Sequence, residues 1–143
     1  MKEKTAADWA AFNDPVLEAF RANDGKVPGR GPILLLTTRG RRTGEPRLTP
    51  LNYSRAGDAY VVIGSKGGSP THPAWFLNLL ADPEVTIEVG TETFRARARV
   101  AEEPERTRLY DAQAELMPFF DGYRKRTRER EIPVVVFDRI AED

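Results

Sequence analysis

The sequence predicts an α+β fold in which about six mainly antiparallel strands, flanked by helices, close fully or partly into a barrel. Three observations lead there. Runs with strand-like composition recur at residues 32–38, 48–55, 60–65, 85–89, 94–100 and 132–138. Helical patterns interrupt them only at the N-terminus, after the third run and before the last, which suits antiparallel neighbours and not repeated parallel crossovers. The 143 residues, 40% of them hydrophobic, suffice to bury one core. The expected organisation is a helical segment and linker at residues 1–31 and a barrel at 32–143, folded together.

From the N-terminus, Trp9, Phe12, Val16, Leu17 and Phe20 recur near the helical period. Asn13-Asp14-Pro15 is expected to break this helix in two. Its apolar face packs on the body of the protein, serves as a lid or touches a membrane surface weakly, and acidic Asp8, Asp14, Glu18 and Asp24 oppose attraction to anionic lipid. Residues 23–31 are a glycine- and proline-rich linker. Ile33 to Leu36 is the apolar centre of a buried strand, and residues 48–55 are its partner. Between them RGRRTGEPR turns a hairpin whose tip carries Arg39, Arg41, Arg42 and Arg47. Guanidinium forks match phosphate and carboxylate oxygens, so the tip is either a soluble charged loop or an anion site.

Ala56-Gly57-Asp58 turns a second hairpin into the strand at residues 60–65, and the two hairpins are expected to form one three-stranded unit. The stretch at residues 63–80, IGSKGGSPTHPAWFLNLL, then runs from strand through glycine loop to helix. Gly64, Gly67 and Gly68 lack Cβ atoms where backbone could approach a ligand, and Ser65 and Lys66 add a hydroxyl and a cation. Lys66 precedes the glycine pair, so this is not a Walker loop. Thr71 or His72 is expected to cap the helix, with Pro73 in its first turn and Asp82-Pro83 ending it. Trp75, Asn78 and Leu79 share a face that serves either the core or a ring-shaped ligand. His72 suits a capping or surface role better than acid catalysis.

Val85, Ile87 and Val89, then Phe94, Ala96, Ala98 and Val100, alternate with polar residues as two half-buried strands around Gly90. Arg95, Arg97 and Arg99 are expected to face solvent and pair with Glu84 or Glu88. A helix over residues 104–117 should bury Leu109, Ala112 and Leu116. After Pro118 come Phe119, Phe120 and Tyr123, then a basic run at residues 124–130, expected to be a solvated helix end.

Twenty-two basic and twenty-two acidic residues cancel, which argues against nucleic acid as a partner and requires any anion site to be local. Absent cysteine excludes disulfides and thiolate chemistry, and one histidine gives metal binding little support. The charged start and the lack of a long apolar run lead to an expectation of a cytoplasmic protein, peripheral at the membrane at most. No nucleophile triad, carboxylate pair or metal cluster emerges, so chemistry would have to come from a cofactor.

The motifs taken together supply one. LLLTTRGRRTGEPRLTPL at residues 34–51 and YVVIGSKGGSPTHPAWFLNLLADPEVTIEV at 60–89, with weaker FRARARV at 94–100 and IPVVVF at 132–137, resemble the deazaflavin-dependent nitroreductase family. That resemblance implies a split β-barrel that binds coenzyme F420, an 8-hydroxy-5-deazaflavin. It implies that Arg41, Arg42 and Arg47, with Thr43, hold the phosphate and carboxylates of the coenzyme tail. Thr49, Pro50 and Leu51 would lie along tail and ring, Ile63, Gly64, Ser65, Lys66 and Gly67 at the ring edge, and Trp75, Asn78 and Leu79 on the helix side. Hydride would pass from reduced F420 to a small conjugated, quinone-like or nitroaromatic acceptor, with Tyr123 as proton donor and Ser65 orienting the ring. Family members tend to carry several tyrosines before the last strand. Here that segment reads MPFFDGY, which points from nitroimidazoles toward a flat apolar acceptor, first a quinone. The alternatives are a flavin mononucleotide enzyme on a similar barrel and a non-enzymatic polyanion binder. Monomer and homodimer are both open.

Overall fold

The computed structural model describes residues 6–66, 71–126 and 131–140. Its elements are α1 (Ala6–Ala22), β1 (Ile33–Arg39), β2 (Pro46–Asn52), β3 (Ser54–Ala56), β4 (Ala59–Ile63), α2 (Ala74–Ala81), β5 (Glu84–Val89), β6 (Glu92–Val100), α3 (Glu105–Leu116), α4 (Phe119–Arg126) and β7 (Val134–Arg139). The strands form one antiparallel sheet in the order β2-β1-β5-β6-β7-β4-β3.

That order closes the fold. β2 and β3 stand at opposite ends of it, yet only Tyr53 separates them in the chain. Laid flat, seven strands would hold their edges about 28 Å apart, far beyond the reach of one residue. The sheet therefore curls until its edges meet, giving a split β-barrel flanked by four helices.

The corner at Tyr53 also explains why seven strands replace the six expected. Residues 48–55 read as one strand because a one-residue break barely disturbs the alternation. In the structure the Tyr53 N–H donates to the Pro32 carbonyl at 3.3 Å, and the chain crosses from one sheet edge to the other. Pro50, which has no N–H to donate, sits in edge strand β2. The expected three-stranded unit is thus split: β1 pairs with β2 and β3 with β4, at the two edges.

Continuous apolar runs mark strands buried on both faces. In β1, Leu34 and Leu36 enter the barrel interior with Val62, Ile87, Phe94 and Phe137. Ile33 and Leu35 point the other way, onto Val16 and Phe20 of α1. In β7, Val135 and Phe137 face inward, while Val134 and Val136 meet Leu109, Tyr110 and Ala114 of α3. Each such side chain contributes about 1.5–3 kcal/mol on burial.

Three helical expectations need correction. α1 continues through Pro15, because a proline costs one backbone bond and bends a helix without necessarily ending it. Val16 and Phe20, just beyond it, are anchored in the core, which leaves these side chains unavailable to a lipid surface. The side chains of Trp9 and Phe12 lie outside the described residues. α2 begins after Pro73 with no side-chain cap, so neither Thr71 nor His72 caps it, and the Phe76 N–H donates to the Pro73 carbonyl at 3.1 Å. α3 buries Leu109, Tyr110, Gln113 and Ala114, whereas Leu116 is 69% exposed and Ala112 is exposed. Polar Tyr110 and Gln113 face inward because each finds a partner there: the Tyr110 hydroxyl donates to the Phe120 carbonyl at 2.7 Å, and Ser54 donates to Gln113 Oε1 at 2.9 Å.

Arg95 and Arg97 pair with Glu84, as expected, but Glu88 pairs with Arg21 and thereby ties α1 to the sheet. Arg99 pairs with Glu105 and Asp138. No helix among the described residues is long and apolar enough to cross a membrane.

The turn after α1 passes unusually close to the β5–β6 hairpin. A Cβ on Gly25, whose φ is +87°, would lie 2.5 Å from Gly90 Cα, whereas one on Gly90, at φ +60°, would meet nothing within 4 Å. Gly25→Ala should therefore destabilise by about 2–4 kcal/mol, from backbone strain plus overpacking, and Gly90→Ala by only about 1 kcal/mol. Urea unfolding of the two variants checks the difference, and equal losses would contradict the close approach.

Candidate active site

Barrel closure brings the β1–β2 tip, the end of β4, the start of α2, the linker and α4 around one cleft of about 1410 Å³. One side is cationic. Arg41, Arg42 and Thr43 come from the hairpin tip and Arg47 from β2, with Lys66 beyond β4. The tip is a folded turn: the Gly40 N–H donates to the Glu45 carbonyl and the Gly44 N–H to the Gly40 carbonyl, both at 2.8 Å, with Gly44 at φ +78°. Thr43 Oγ1 accepts from the Glu45 N–H at 3.3 Å, so this side chain stabilises the turn as well as lining the cleft. Arg39 is directed elsewhere, 3.7 Å from Asp82, and does not line the cleft. No carboxylate pairs with Arg41 or Arg42 among the described residues, and Arg47 has only a loose 3.8 Å pairing with exposed Glu45, of little energetic weight.

Thr49, Pro50, Leu51 and Ile63 continue the lining from the cationic side, and Ser65 is buried against it. Lys66 holds a left-handed backbone at φ +48°, which a non-glycine residue adopts at a cost of about 1 kcal/mol or more, and its Nζ donates to Thr71 Oγ1 at 3.2 Å.

The opposite side is apolar. Trp75 of α2 is buried beneath the cleft, and Met117, Phe119, Phe120 and Tyr123 form its far wall. The three rings pack with centroids 4.7, 5.6 and 5.5 Å apart, and Phe119 remains 46% exposed. Tyr110 roots this wall through its bond to the Phe120 carbonyl. Arg124 lies over the Tyr110 ring at 4.4 Å and bonds Asp111 at 2.7 Å and also Asp121. Those carboxylate hydrogen bonds, Asp111 first, hold the Arg124 guanidinium above its ordinary range.

Most residues predicted for the site line this one cleft; two do not. Gly64 serves packing: its N–H donates to the Pro133 carbonyl at 2.9 Å, and a Cβ there would fall 2.9 Å from Pro133 Cγ. Leu79 faces the barrel interior. Gly67 and Gly68 lie outside the described residues, as does the basic run at 127–130. The His72 ring packs tilted against Phe76, with centroids 4.9 Å apart, and is not among the cleft-lining residues. The sequence reading missed Arg30, Asn13, Val16 and Asn52, which also line the cleft. Asn52 Nδ2 donates to the carbonyls of Arg30 at 2.6 Å and Pro32 at 3.1 Å, so the linker is clamped as a wall. No local pattern signals a contact made across some twenty residues of sequence.

Fold and cleft together define a split β-barrel with a cofactor-sized site, cationic at one side and aromatic at the other. The F420H(2)-dependent quinone reductase family matches residues 14–139, and the chain belongs to that family. It is 41% identical over 127 residues to an F420H(2)-dependent quinone reductase of Mycobacterium tuberculosis, covering 84% of this chain and 85% of that protein, and equally similar to a counterpart of Mycobacterium bovis described as putative. A solved F420-H2 dependent reductase (FDR-A) superposes with a TM-score of 0.69 at 34% identity, covering 75% of this chain and 94% of its own. A structure described as a domain-swapped dimer gives 0.70 at 30% identity, covering 94% and 100%. The protein is thus an F420-dependent oxidoreductase, which displaces the flavin mononucleotide and polyanion-binding alternatives.

The donor set fits such a coenzyme. An anionic tail would meet Arg41 and Arg42, which have no acidic partner among the described residues, a flat ring would meet Trp75, and the volume exceeds the roughly 300–1,000 Å³ usual for one small ligand. Tyr110→Phe should cost about 1–2 kcal/mol, because the buried hydroxyl bond to the Phe120 carbonyl is lost. Amide exchange should rise in α4 and not in α2; exchange rising equally in both would show that Tyr110 does not root the aromatic wall.

Proposed function

We propose that this enzyme reduces a flat, conjugated acceptor, first a quinone and next a nitroaromatic, using F420H2 held in the cleft. The observation that carries the reading is the continuity of one cavity from Arg41 and Arg42, which have no acidic partner among the described residues, to the rings of Phe119, Phe120 and Tyr123. Its relatives' description as F420H(2)-dependent quinone reductases supports the same acceptor class.

Arg41, Arg42 and Arg47, with Thr43, hold the phosphate and carboxylates of the tail, since planar guanidinium groups bind such oxygens in pairs. Thr49, Pro50 and Leu51 run beside tail and ring. Ile63, Ser65 and Lys66 border the ring, and Trp75 backs it. When bound, reduced F420 supplies a hydride. Phe119 and Phe120 present flat apolar surface to the acceptor, and Tyr123 Oη gives the proton that, with the hydride, converts quinone to hydroquinone; solvent then reprotonates Tyr123. A homodimer, and a cytoplasmic location, complete the proposal; a solved relative described as a domain-swapped dimer favours the former.

Titration of the purified protein with oxidised F420, followed by anaerobic quinone reduction with F420H2, tests the reading directly. Failure to bind F420, or binding without reduction of any quinone or nitroaromatic, would refute it. Arg41→Ala and Arg42→Ala should each weaken F420 about fivefold to tenfold, less than a buried charge-assisted bond would give, because exposed charges are screened. Tyr123→Phe should lower kcat while leaving the F420 dissociation constant unchanged. Full retention of kcat would remove Tyr123 as proton donor.

A further inference from the structure

Asn78 makes a set of contacts that a simple lining residue does not need. Only 4% exposed, it accepts at Oδ1 from the Arg41 backbone N–H at 3.2 Å and from Arg41 NH1 at 3.1 Å. Its Nδ2 donates to Oγ1 of Thr38 at 3.2 Å, and Thr38 is itself only 2% exposed. The amide orientation follows from chemistry. Both Arg41 groups are donors, so the acceptor oxygen must face them and the NH2 must face the hydroxyl.

We infer that Asn78 is a positioning residue for anion capture: the Thr38–Asn78–Arg41 chain of hydrogen bonds holds Arg41 at the cleft, and affinity for the coenzyme tail depends on it. This rests on the F420 reading above. Three elements meet at this amide: β1 through Thr38, the hairpin tip through Arg41, and α2 through Asn78 itself. One bond fixes the backbone at the start of the tip and another fixes the guanidinium at its end. Arg41 is thereby held at its backbone and at its guanidinium by a neutral group, with no carboxylate partner among the described residues, so its positive charge stays available. Of five guanidinium N–H donors, one is used among the described residues, and the others can serve phosphate or carboxylate oxygens. A carboxylate in the same place would hold the arginine equally well and cancel its charge. An amide gives orientation without neutralisation.

The test is full-chain calorimetric titration with two probes, oxidised F420 and a deazaflavin that keeps the ring and lacks the phosphate and glutamate tail. Asn78→Leu, close in volume, should weaken F420 about threefold to fivefold, no more than Arg41→Ala does, while changing the tail-less deazaflavin less than about twofold. In the double variant with Arg41→Ala, the two losses should not add, because both report one interaction. Thr38→Val, which deletes only the hydroxyl anchoring Asn78, makes the same comparison should Asn78→Leu fail to fold, with a loss of about threefold confined to F420. Equal loss of both probes, unchanged F420 affinity, or additive losses with Arg41→Ala would overturn the inference. If the wild-type protein bound neither probe, the F420 reading itself would fall.

Discussion

The site depends on one covalent constraint: a single residue, Tyr53, joins the two edges of a seven-stranded sheet. Because the chain cannot stretch across an open sheet, the edges are forced together. The basic tip of the β1–β2 hairpin and the exit of β4 are thereby brought around a common cleft, although they belong to strands that never pair. Closure thus does for the cleft what a longer connecting loop could not: it brings together two lining segments that extend from the ends of paired strands.

Within that frame, arginines with similar composition do different work according to the carboxylates near them. Arg95, Arg97, Arg99, Arg124 and Arg139 all have acidic partners, so the arginine row on β6 is a neutralised surface. Arg41 and Arg42 have none among the described residues, and Asn78 supplies neutral support to the first. Net charge near zero therefore conceals a local positive field, concentrated where a low-dielectric aromatic wall faces it.

How much of this could be read from the sequence follows from the range of each interaction. Strands such as ILLLTTR and VVVF were legible because burial on both faces leaves an uninterrupted apolar run, and the arginine tip because a glycine turn between two such runs is local chemistry. Arg41, Asn78 and Trp75 were legible chiefly through the order of three motifs. The break at Tyr53 was not, since topology imposed it and side-chain pattern did not. Nor was the role of Gly64, whose missing Cβ makes room for Pro133, a contact 69 residues away in the chain. On α3, apolar counting chose Leu116 and Ala112 over Tyr110 and Gln113. The distant partners of those two polar groups, Ser54 and the Phe120 carbonyl, decide which face is buried.

Those two polar contacts also connect closure to the aromatic wall. Ser54, the first residue of β3 after the corner, donates to Gln113 in the middle of α3; three residues earlier on α3, Tyr110 donates to α4. Gln113 is fully buried, and its Nε2 has no hydrogen-bond partner among the described residues, a condition that costs about 1–3 kcal/mol. An apolar residue would avoid that cost but could not accept from Ser54. Since Ser54 follows directly on Tyr53, the buried bond ties the corner of the barrel to the helix pair that presents Phe119, Phe120 and Tyr123. The constraint that closes the sheet therefore also bears on the distance between the cationic side and the aromatic wall, and so on the width of the cleft between them.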